Sequence, residues 1–324
     1  MLLNYAESIR LGFDYLLKHY DNVFVIGQGV WSPWYVGTSM IGLDVTYGEG
    51  RIIDTPISEL GVTGMCVGAA LNGMRPVCVH PRMDFAILAF DQLVNQAAKW
   101  SHMFGGQSHV PLTARLIINR GGEQGAQHSQ ALHAWLMHIP GLRVVMPYSV
   151  QDAHDLLIAA TLCDDPVIYI DDRWLYETTS LVTEIQELSL NNIESKCIRE
   201  GQHITLVGAG YSTHLCMQAA EQLTLQGTRC EVIDLRVLNP LKINVVRHSV
   251  EKTGRLLVVD GGWASCGLTA EVITKTLETM DLKLLKKNPQ RITLVDAPAP
   301  TSRALEKIYY PTVEQVCQHV KAML

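Results

Sequence analysis

The sequence predicts an α/β protein with two domains, each a mostly parallel β-sheet flanked by helices. Short β-branched runs alternate with amphipathic segments along most of the 324 residues. Such alternation is typical of strand–helix–strand crossovers in parallel sheets. It stops once, in the polar stretch "ETTSLVTEIQELSLNNIESKCIREG" (177–201), and then resumes. We therefore expect a first domain at 1–180, a linker at 181–201 and a second domain at 202–324.

The expected strands of the first domain are "NVFVIG" (22–27), "RPVCVH" (75–80), "TARLIIN" (113–119), "LRVVMP" (142–147) and "PVIYI" (166–170). Amphipathic patterns predict helices at 84–100 and 150–163. The expected strands of the second domain are "HITLVG" (203–208), "RCEVIDL" (229–235), "RLLVVD" (255–260) and "RITLVD" (291–296). Ligands of open parallel sheets bind beyond the carboxyl ends of the strands. The first domain has the glycine-rich and polar loops there, so we expect the site mainly in that domain.

Composition excludes several classes of function. The formal net charge is −6 and no basic stripe is visible, which argues against nucleic acid as a partner. Eight cysteines are scattered without CxxC or zinc spacing, so buried free thiols of a reducing cytosol are expected. Charged residues interrupt the N-terminal apolar segment, and no apolar run reaches the roughly 20 residues of a membrane span. A cytoplasmic protein without a membrane partner is expected.

Two motifs invite a functional interpretation that the spacing does not favour. "VGAGYSTH" (207–214) follows an expected strand, but it lacks the third glycine of a dinucleotide fingerprint, which favours a plain strand-to-helix turn. His128, His133 and His138 stand five residues apart. Helical metal ligands need a spacing of three or four residues to share a face, so a metal site is not expected. His128 differs because its glycine-rich loop leaves open a role in proton transfer.

The motif "DTPISELG" (54–61) places a single carboxylate, Glu59, at the start of an expected helix rich in small residues. One interpretation is structural: a first-turn acid favoured by the helix dipole, or a capping box in which Ser58 or Thr55 caps the helix. The other is a carboxylate held close to a ring nitrogen of a bound cofactor. The isolated motif favours the structural interpretation.

Along nearly its full length the sequence resembles the β subunit of the thiamine-diphosphate-dependent E1 component of 2-oxoacid dehydrogenases, a transketolase-like family. The motifs that carry the resemblance in the first domain are "DTPISELGVTGMCVGAALNGMRPV" (54–77), "MDFAILAFDQLVNQAAKW" (83–100), "GAQHSQALHAWLMHIPGLRVVMP" (125–147) and "DDPVIYID" (164–171). Those of the second domain are "EVIDLRVLNPL" (231–241) and "TGRLLVVD" (253–260). The resemblance implies a pyrimidine-binding domain followed by a transketolase C-terminal domain.

The resemblance also implies thiamine diphosphate as the cofactor. In the family the β chain supplies the pyrimidine half of the site, and an α chain supplies the diphosphate and Mg²⁺ half. The family's Gly-Asp-Gly diphosphate signature occurs nowhere in this sequence. An E1 α partner is therefore implied, most simply in an α₂β₂ assembly with β–β contacts, and a lipoyl-bearing E2 is a further expected partner.

By position in the family motifs, Glu59 is the carboxylate that hydrogen-bonds the pyrimidine and promotes its imino tautomer. Phe85 is the aromatic ring stacked on the pyrimidine, and Ile57 lines the same pocket. His128 is the loop histidine that assists acyl transfer to a lipoyl arm or stabilises the carbanion/enamine intermediate. The family's structural potassium site, built from main-chain carbonyls, falls by position on Leu112, Ala160, Thr161, Cys163 and Asp165. Cys163 departs from the acid usual in the family.

Other departures surround the expected site. Gln28 and Gly29 replace an acidic pair, and Gln28 can hydrogen-bond the cofactor but cannot relay a proton. The segment before "MDF" contains Arg82, which together with Arg120 is a candidate for binding an anionic substrate. Three functions stay open: an E1 β subunit that passes an acyl group to lipoyl-E2, a two-chain enzyme that transfers an acyl or ketol unit to an aldehyde or sugar, and a non-catalytic regulatory chain.

Overall fold

The computed structural model describes all 324 residues, and the chain divides into two compact units. The first unit comprises Met1–Asn119 and Trp135–Ile193, and the second comprises Arg120–Ala134 and Glu194–Leu324. The division at Ile193 falls inside the expected linker. The structure differs from the expected domains in one respect: residues 120–134, which the sequence assigns to the first domain, belong to the second unit.

The first unit contains a parallel sheet between helices. Its strands are β1 (Leu2–Asn4), β2 (Val23–Gly27), β3 (Ile52–Asp54), β4 (Arg75–His80), β5 (Thr113–Ile118), β6 (Arg143–Val145), β7 (Val167–Asp172) and β8 (Thr179–Leu181). Its helices are α1 (Tyr5–His19), α2 (Pro33–Val36), α3 (Leu43–Tyr47), α4 (Glu59–Leu71), α5 (Ala98–Met103), α6 (His133–Met137, which begins in the second unit) and α7 (Val150–Thr161). Six strands lie in the order β6-β7-β5-β4-β2-β3, and each neighbouring pair is parallel.

All the strands expected in this unit are present, and the sheet core explains their apolar composition. Every residue of β5 and β7 is buried, as expected for central strands covered on both faces. Three short strands were not expected: β3 joins the sheet beside β2, and β1 and β8 form a separate antiparallel pair. The strand β8 lies in the polar stretch 177–201, and only its last residue, Leu181, falls in the expected linker; its side chains are exposed.

The helix expected at 84–100 is irregular. The chain forms a 3₁₀ helix at Met83–Ala89, a π-helical stretch at Asp91–Ala97 and then α5. The apolar periodicity predicts that this segment is helical. It does not predict whether the backbone hydrogen bonds are of the 3₁₀, α or π type, because that choice depends on tertiary contacts. π-Helical turns within helices occur frequently at functional sites.

The second unit has its own mostly parallel sheet. Its strands are β9 (Lys196–Arg199), β10 (Ile204–Gly208), β11 (Cys230–Asp234), β12 (Val237–Asn239), β13 (Leu256–Trp263) and β14 (Gln290–Leu294). Its helices are α8 (Tyr211–Thr224), α9 (Asn244–Thr253), α10 (Leu268–Glu278), α11 (Arg303–Tyr309) and α12 (Val313–Met323). The sheet order is β14-β13-β10-β11-β9, in which only the edge strand β9 is antiparallel. The expected fold class is therefore confirmed.

The cysteines and the helices of the structure can be compared with the expectations of buried free thiols and of no membrane span. All eight cysteines are free thiols, and most of them are buried, where cysteine behaves as a small apolar residue. None of the helices has the length and apolar content that a membrane span requires.

Candidate active site

Three neighbouring strands of the first unit end at one edge of the sheet and place the expected site residues together. Gln28 follows β2, Arg82 follows β4, and Glu59 follows β3, which is the other neighbour of β2. Because the carboxyl ends of parallel strands form the binding edge of an open sheet, the loops converge there. They form an open cleft lined by Gly27, Gln28, Thr55, Pro56, Ser58, Glu59, Val62, Val79, His80, Pro81, Arg82 and Phe85.

Close packing at the end of β2 depends on glycine. A Cβ atom on Gly27 would lie 2.3 Å from the carbonyl oxygen of Val79 on β4, so no larger residue fits. The Asp54 carboxylate then accepts hydrogen bonds from the amides of Gly29 (2.6 Å) and Val30 (3.3 Å). These contacts fix the loop that carries Gln28 at the mouth of the cleft. Asp54 therefore has a structural role that sequence reasoning did not assign.

Glu59 is the first residue of α4, and the capping box considered from the sequence does not form. Ser58 is the N-cap residue, but its side chain makes no capping hydrogen bond. Thr55 Oγ1 is buried without a hydrogen-bond partner. The half-buried Glu59 side chain makes no hydrogen bond or ion pair within this chain. A carboxylate that its own chain leaves unsatisfied in a cleft is suited to bind a ligand.

The two apolar residues expected around the cofactor differ in position. Phe85 lines the cleft and keeps 37% of its surface exposed, although it belongs to an otherwise largely buried 3₁₀ helix. Ile57 is 71% exposed and is not among the residues that line the cleft. The structure therefore brings Glu59, Gln28, Arg82 and Phe85 together, and leaves Ile57 on the surface beside them.

A buried polar cluster lies behind Glu59. The ring of His80 is 3.2 Å from Thr63 Oγ1 and 3.5 Å from Cys78 Sγ, both measured from Nε2. Burial opposes the charged imidazole, yet the pKa of His80 is raised, because Cys78 and Glu59 favour the imidazolium. The Glu59 carboxylate therefore has an electrostatic partner in the wall of the cleft.

His128 and Arg120 belong to the second unit, within residues 120–134. His128 is half-buried, and its amide donates to the Gly125 carbonyl in a turn (3.3 Å). Arg120 is buried, with Nη1 3.5 Å from the carbonyl of Gly261. A Cβ atom on Gly261 would lie 2.0 Å from that nitrogen. Arg120 is therefore buried in a tight space, and its expected role in binding an anionic substrate stays a prediction.

His133 and Asp260 form a buried pair beside Arg120 in this unit. His133 Nε2 lies 3.0 Å from Oδ1 of Asp260. Burial alone would raise the pKa of the Asp260 carboxyl, but the positive charges of His133 and Arg120 lower it. Sequence reasoning treated His133 as an ordinary helix residue, and its spacing from His128 gave no signal of this pair.

The carbonyls of the expected potassium site already accept hydrogen bonds. Arg75 Nη1 donates to the carbonyls of Thr161 (3.2 Å) and Cys163 (2.9 Å). Leu112 accepts from the amide of Val167, and Ala160 accepts from that of Cys163. Each carbonyl oxygen retains a second lone pair, so a potassium ion at this position stays a prediction. In this chain the guanidinium of Arg75 places a positive charge beside the carbonyls of Thr161 and Cys163.

Arg173 is a residue near the cleft that sequence reasoning missed. It directly follows β7, at the same edge of the sheet as Gln28 and Arg82. Its positive charge lowers the pKa of Arg82, which burial also lowers. Arg173 could have been identified from the sequence, because it is a charged residue immediately after an apolar parallel strand. The same criterion identified the residues of the other loops at this edge.

Comparison with known proteins agrees with this arrangement. The family model for the transketolase pyrimidine binding domain matches residues 2–178, and that for the transketolase C-terminal domain matches residues 194–316. The chain is 37% identical to the mitochondrial pyruvate dehydrogenase E1 component subunit β of Ascaris suum over 98% of this chain and 89% of that protein. It is 36% identical to the Rattus norvegicus protein of the same name, over 99% and 90%.

A bacterial relative and a solved structure extend the comparison. The pyruvate dehydrogenase E1 component subunit β of Rhizobium meliloti (strain 1021) is 36% identical over 98% of this chain and 69% of that protein. A split-gene transketolase, solved as an inactive β4 tetramer, has a TM-score of 0.77 at 18% identity and covers 99% of this chain and 98% of its own. The second similarity concerns the fold alone. The chain therefore belongs to the transketolase-like family of thiamine-diphosphate-dependent enzymes, within its group of 2-oxoacid dehydrogenase E1 β subunits.

Proposed function

We propose that this chain, together with an α partner, catalyses the thiamine-diphosphate-dependent decarboxylation of a 2-oxoacid and delivers the acyl group to a lipoyl-bearing E2. The observation that carries the proposal is the Glu59 carboxylate, which makes no hydrogen bond or ion pair within the chain and shares a cleft with the half-exposed ring of Phe85. In this proposal the α partner holds the diphosphate and Mg²⁺, and α₂β₂ is the simplest assembly.

The residues of the cleft fit the pyrimidine half of the cofactor. A carboxylate that makes no hydrogen bond can share a proton with a ring nitrogen, and an exposed aromatic face can stack on a flat ring. Gln28 can donate or accept a hydrogen bond. When bound, thiamine diphosphate supplies the nucleophilic carbon and the electron sink for decarboxylation. Glu59 then acts as the general acid–base group that holds a proton at the ring nitrogen.

The role proposed for His128 depends on the chemistry of its imidazole. It lies in a glycine-rich segment whose Gly121, Gly122 and Gly125 all have positive φ angles. A half-buried imidazole in such a segment can donate or accept a proton near neutral pH. We propose that it assists acyl transfer to the acceptor.

The decisive experiment compares Glu59→Gln with Glu271→Gln in the co-expressed α–β complex. Glu271 is also a first-turn glutamate, but it lies on α10 of the second unit and is exposed. Loss of a positioned acid–base group lowers turnover by about 10²- to 10⁴-fold. We therefore expect cofactor-dependent decarboxylation, followed with an artificial electron acceptor, to fall at least about 100-fold only in Glu59→Gln.

A first-turn acid that serves only the helix dipole contributes about 0.3–1 kcal/mol to stability. Equal turnover of Glu59→Gln and Glu271→Gln would therefore contradict the proposed mechanism. A complex without cofactor-dependent turnover on any 2-oxoacid would support the regulatory alternative instead.

A second candidate function is transfer of an acyl or ketol unit to an aldehyde or sugar without a lipoyl partner. The observation in its favour is the loop after β2, where Gln28 replaces an acid and Trp31 and Trp34 expose 42% and 77% of their surfaces. Aromatic side chains of this kind stack readily on sugar rings. Reductive acylation of an added lipoyl domain supports the E1 activity, whereas turnover that requires an added aldehyde supports the second candidate.

A further inference from the structure

His80 is the last residue of β4, and it lines the Glu59 cleft although only 3% of its surface is exposed. Its ring is anchored on one side. The Nε2 atom lies 3.2 Å from Thr63 Oγ1 and 3.5 Å from Cys78 Sγ. The Nδ1 atom makes no hydrogen bond within the chain. The imidazole is therefore fixed in direction by one nitrogen and keeps the other without a protein partner.

Thr63 brings this ring close to Glu59. Glu59 and Thr63 lie four positions apart on α4, and side chains at that spacing are neighbours on one face of a helix, with Cβ atoms about 5–6 Å apart. Thr63 Oγ1 contacts the ring of His80, and Glu59 and His80 both line the cleft. The two residues make no direct ion pair. Their charges therefore interact through space, across one helical turn and one side-chain contact.

Few titratable groups surround the ring of His80. Cys78 lies on the same strand, α4 contributes Glu59 together with Cys66, and Arg82 lines the cleft beyond the end of β4. The other residues that line the cleft carry no charge. Burial opposes the charged ring, yet the pKa of His80 is raised, because Cys78 and Glu59 favour the imidazolium. Coulomb attraction is mutual, so an imidazolium at this position favours the ionised form of Glu59.

We propose that His80 is a positioning residue that keeps Glu59 in its carboxylate form, so that Glu59 can accept a hydrogen bond from a protonated ring nitrogen of the ligand in the cleft. This inference rests on the proposed function, because it concerns the group that Glu59 serves there. The proton available to the pair resides on His80 rather than on Glu59. Arg82 stays charged at every pH of an enzyme assay, so only His80 makes this support dependent on pH. Both residues of the pair belong to the first unit.

The first test measures the coupling between the two residues without any cofactor. Labelling the histidines of the full-length chain with ¹³C at Cε1 allows each imidazole to be titrated by NMR, and His80→Gln identifies the His80 signal by its loss. We expect the pKa of His80 to be lower in Glu59→Gln than in the wild type, because a charge that favours the imidazolium is removed. Glu271→Gln, at an exposed first-turn glutamate of the second unit, should leave it unchanged. The same His80 pKa in all three proteins would overturn the inference.

The second test measures the pH dependence of kcat/KM for cofactor-dependent decarboxylation by the α–β complex. A glutamine at position 80 can keep a hydrogen bond to Thr63 but carries no charge. We therefore expect the acid limb of the profile to move to higher pH in His80→Gln. At about pH 6, where an imidazole is mostly protonated, the rate relative to the plateau should be at least about threefold below that of the wild type. The two profiles should coincide at higher pH, where the wild-type ring is neutral as well.

His154→Gln is the matched control. His154 is also a buried imidazole of the first unit, with Nδ1 2.7 Å from Ser8 Oγ, but it does not line the cleft. Its pH profile should have the shape of the wild-type profile, whereas His80→Leu should show the same displaced limb as His80→Gln, because both lack the charge.

The outcomes separate this inference from the proposed function. If His80→Gln is slower by one factor at every pH and its acid limb does not move, His80 has only a packing role, and the inference is refuted while the proposed decarboxylation stands. If the complex has no cofactor-dependent turnover, the proposed function fails, and the NMR comparison alone decides whether His80 and Glu59 are coupled.

Discussion

Asp171 on strand β7 of the first unit and Asp260 on strand β13 of the second unit are both buried carboxylates, and different side chains neutralise their charges. In the first unit, Asp171 accepts two hydrogen bonds from Arg115, at 3.0 and 2.9 Å, and both side chains are fully buried. In the second unit, Asp260 pairs with His133, which is charged only when protonated. Arginine stays charged at any physiological pH, whereas a histidine does not. The first pair is therefore permanent and the second is conditional.

Glu59 provides the contrast to both. It comes after a parallel strand rather than within one, is half-buried in an open cleft and makes no ion pair within the chain. The comparison teaches that the residue type and its association with a parallel strand do not distinguish a paired structural carboxylate from one that is open to a ligand. The electrostatic partner of a carboxylate and the exposure of its side chain distinguish the two. The predictions below test this distinction, from the largest expected effect to the smallest.

The largest effect is expected for Arg115→Met. The substitution leaves the Asp171 carboxylate buried without its cation, and breaking a buried pair in this way typically costs about 3–5 kcal/mol. Urea unfolding of the full-length chain measures the loss. The double variant Arg115→Met/Asp171→Leu should recover much of it, because both charges are then absent. A double variant as unstable as the single one would contradict the assignment of the loss to the unpaired charge.

A smaller effect is expected for His133→Leu in the second unit. Asp260 loses its nearest partner but keeps the favourable charge of Arg120, so we expect a loss of about 1.5–3 kcal/mol, as for one charge-assisted hydrogen bond. The same variant should increase amide hydrogen exchange in residues 120–134, which carry His128. His133→Gln is the control, since its amide can still donate to Asp260. A loss equal to that of Arg115→Met would remove the contrast between the two pairs.

The third effect concerns the pH dependence of stability through His80. Its folded-state pKa is raised above the ordinary value of 6.5. The protonated ring therefore contributes stability that is fully present below pH 6.5 and is lost as the pH rises through the raised value. The difference in unfolding free energy between wild type and His80→Gln should shrink as the pH rises above 6.5. A difference that grows with pH would show that burial, rather than Cys78 and Glu59, controls the ring.

The smallest effect is expected for Asp164→Asn. Its ion pair with Arg75 lies at the surface, where the side chain of Asp164 is 69% exposed, and such pairs contribute at most about 1 kcal/mol. Arg75 keeps its hydrogen bonds to the carbonyls of Thr161 and Cys163. Thermal unfolding in low and high salt measures the change. A loss above about 2 kcal/mol would show that the Asp164 charge organises the loop expected to bind potassium.

Much of the fold could be predicted from the sequence because its causes are local. Strands such as β5 and β7 are buried on both faces, so they appear as continuous apolar runs. The short strand β9 was missed because its side chains are only partly buried at a sheet edge. The assignment of residues 120–134 to the second unit was also missed. It depends on contacts such as His133 with Asp260, which no local pattern encodes.

The place of Gln28, Glu59 and Arg82 follows from the sequence, because each comes after a parallel strand and such ends meet at one edge. The site role expected for Glu59 comes from the family motif around it, whereas Gln28 and Arg82 depart from the family pattern. Only the tertiary structure decided which charges are neutralised: Asp171 by Arg115, Asp260 by His133, and Arg173 by no carboxylate of the chain. The physical reason is that electrostatic partners are selected by distance in space and by burial, and residues far apart in the chain meet only after the sheets have formed.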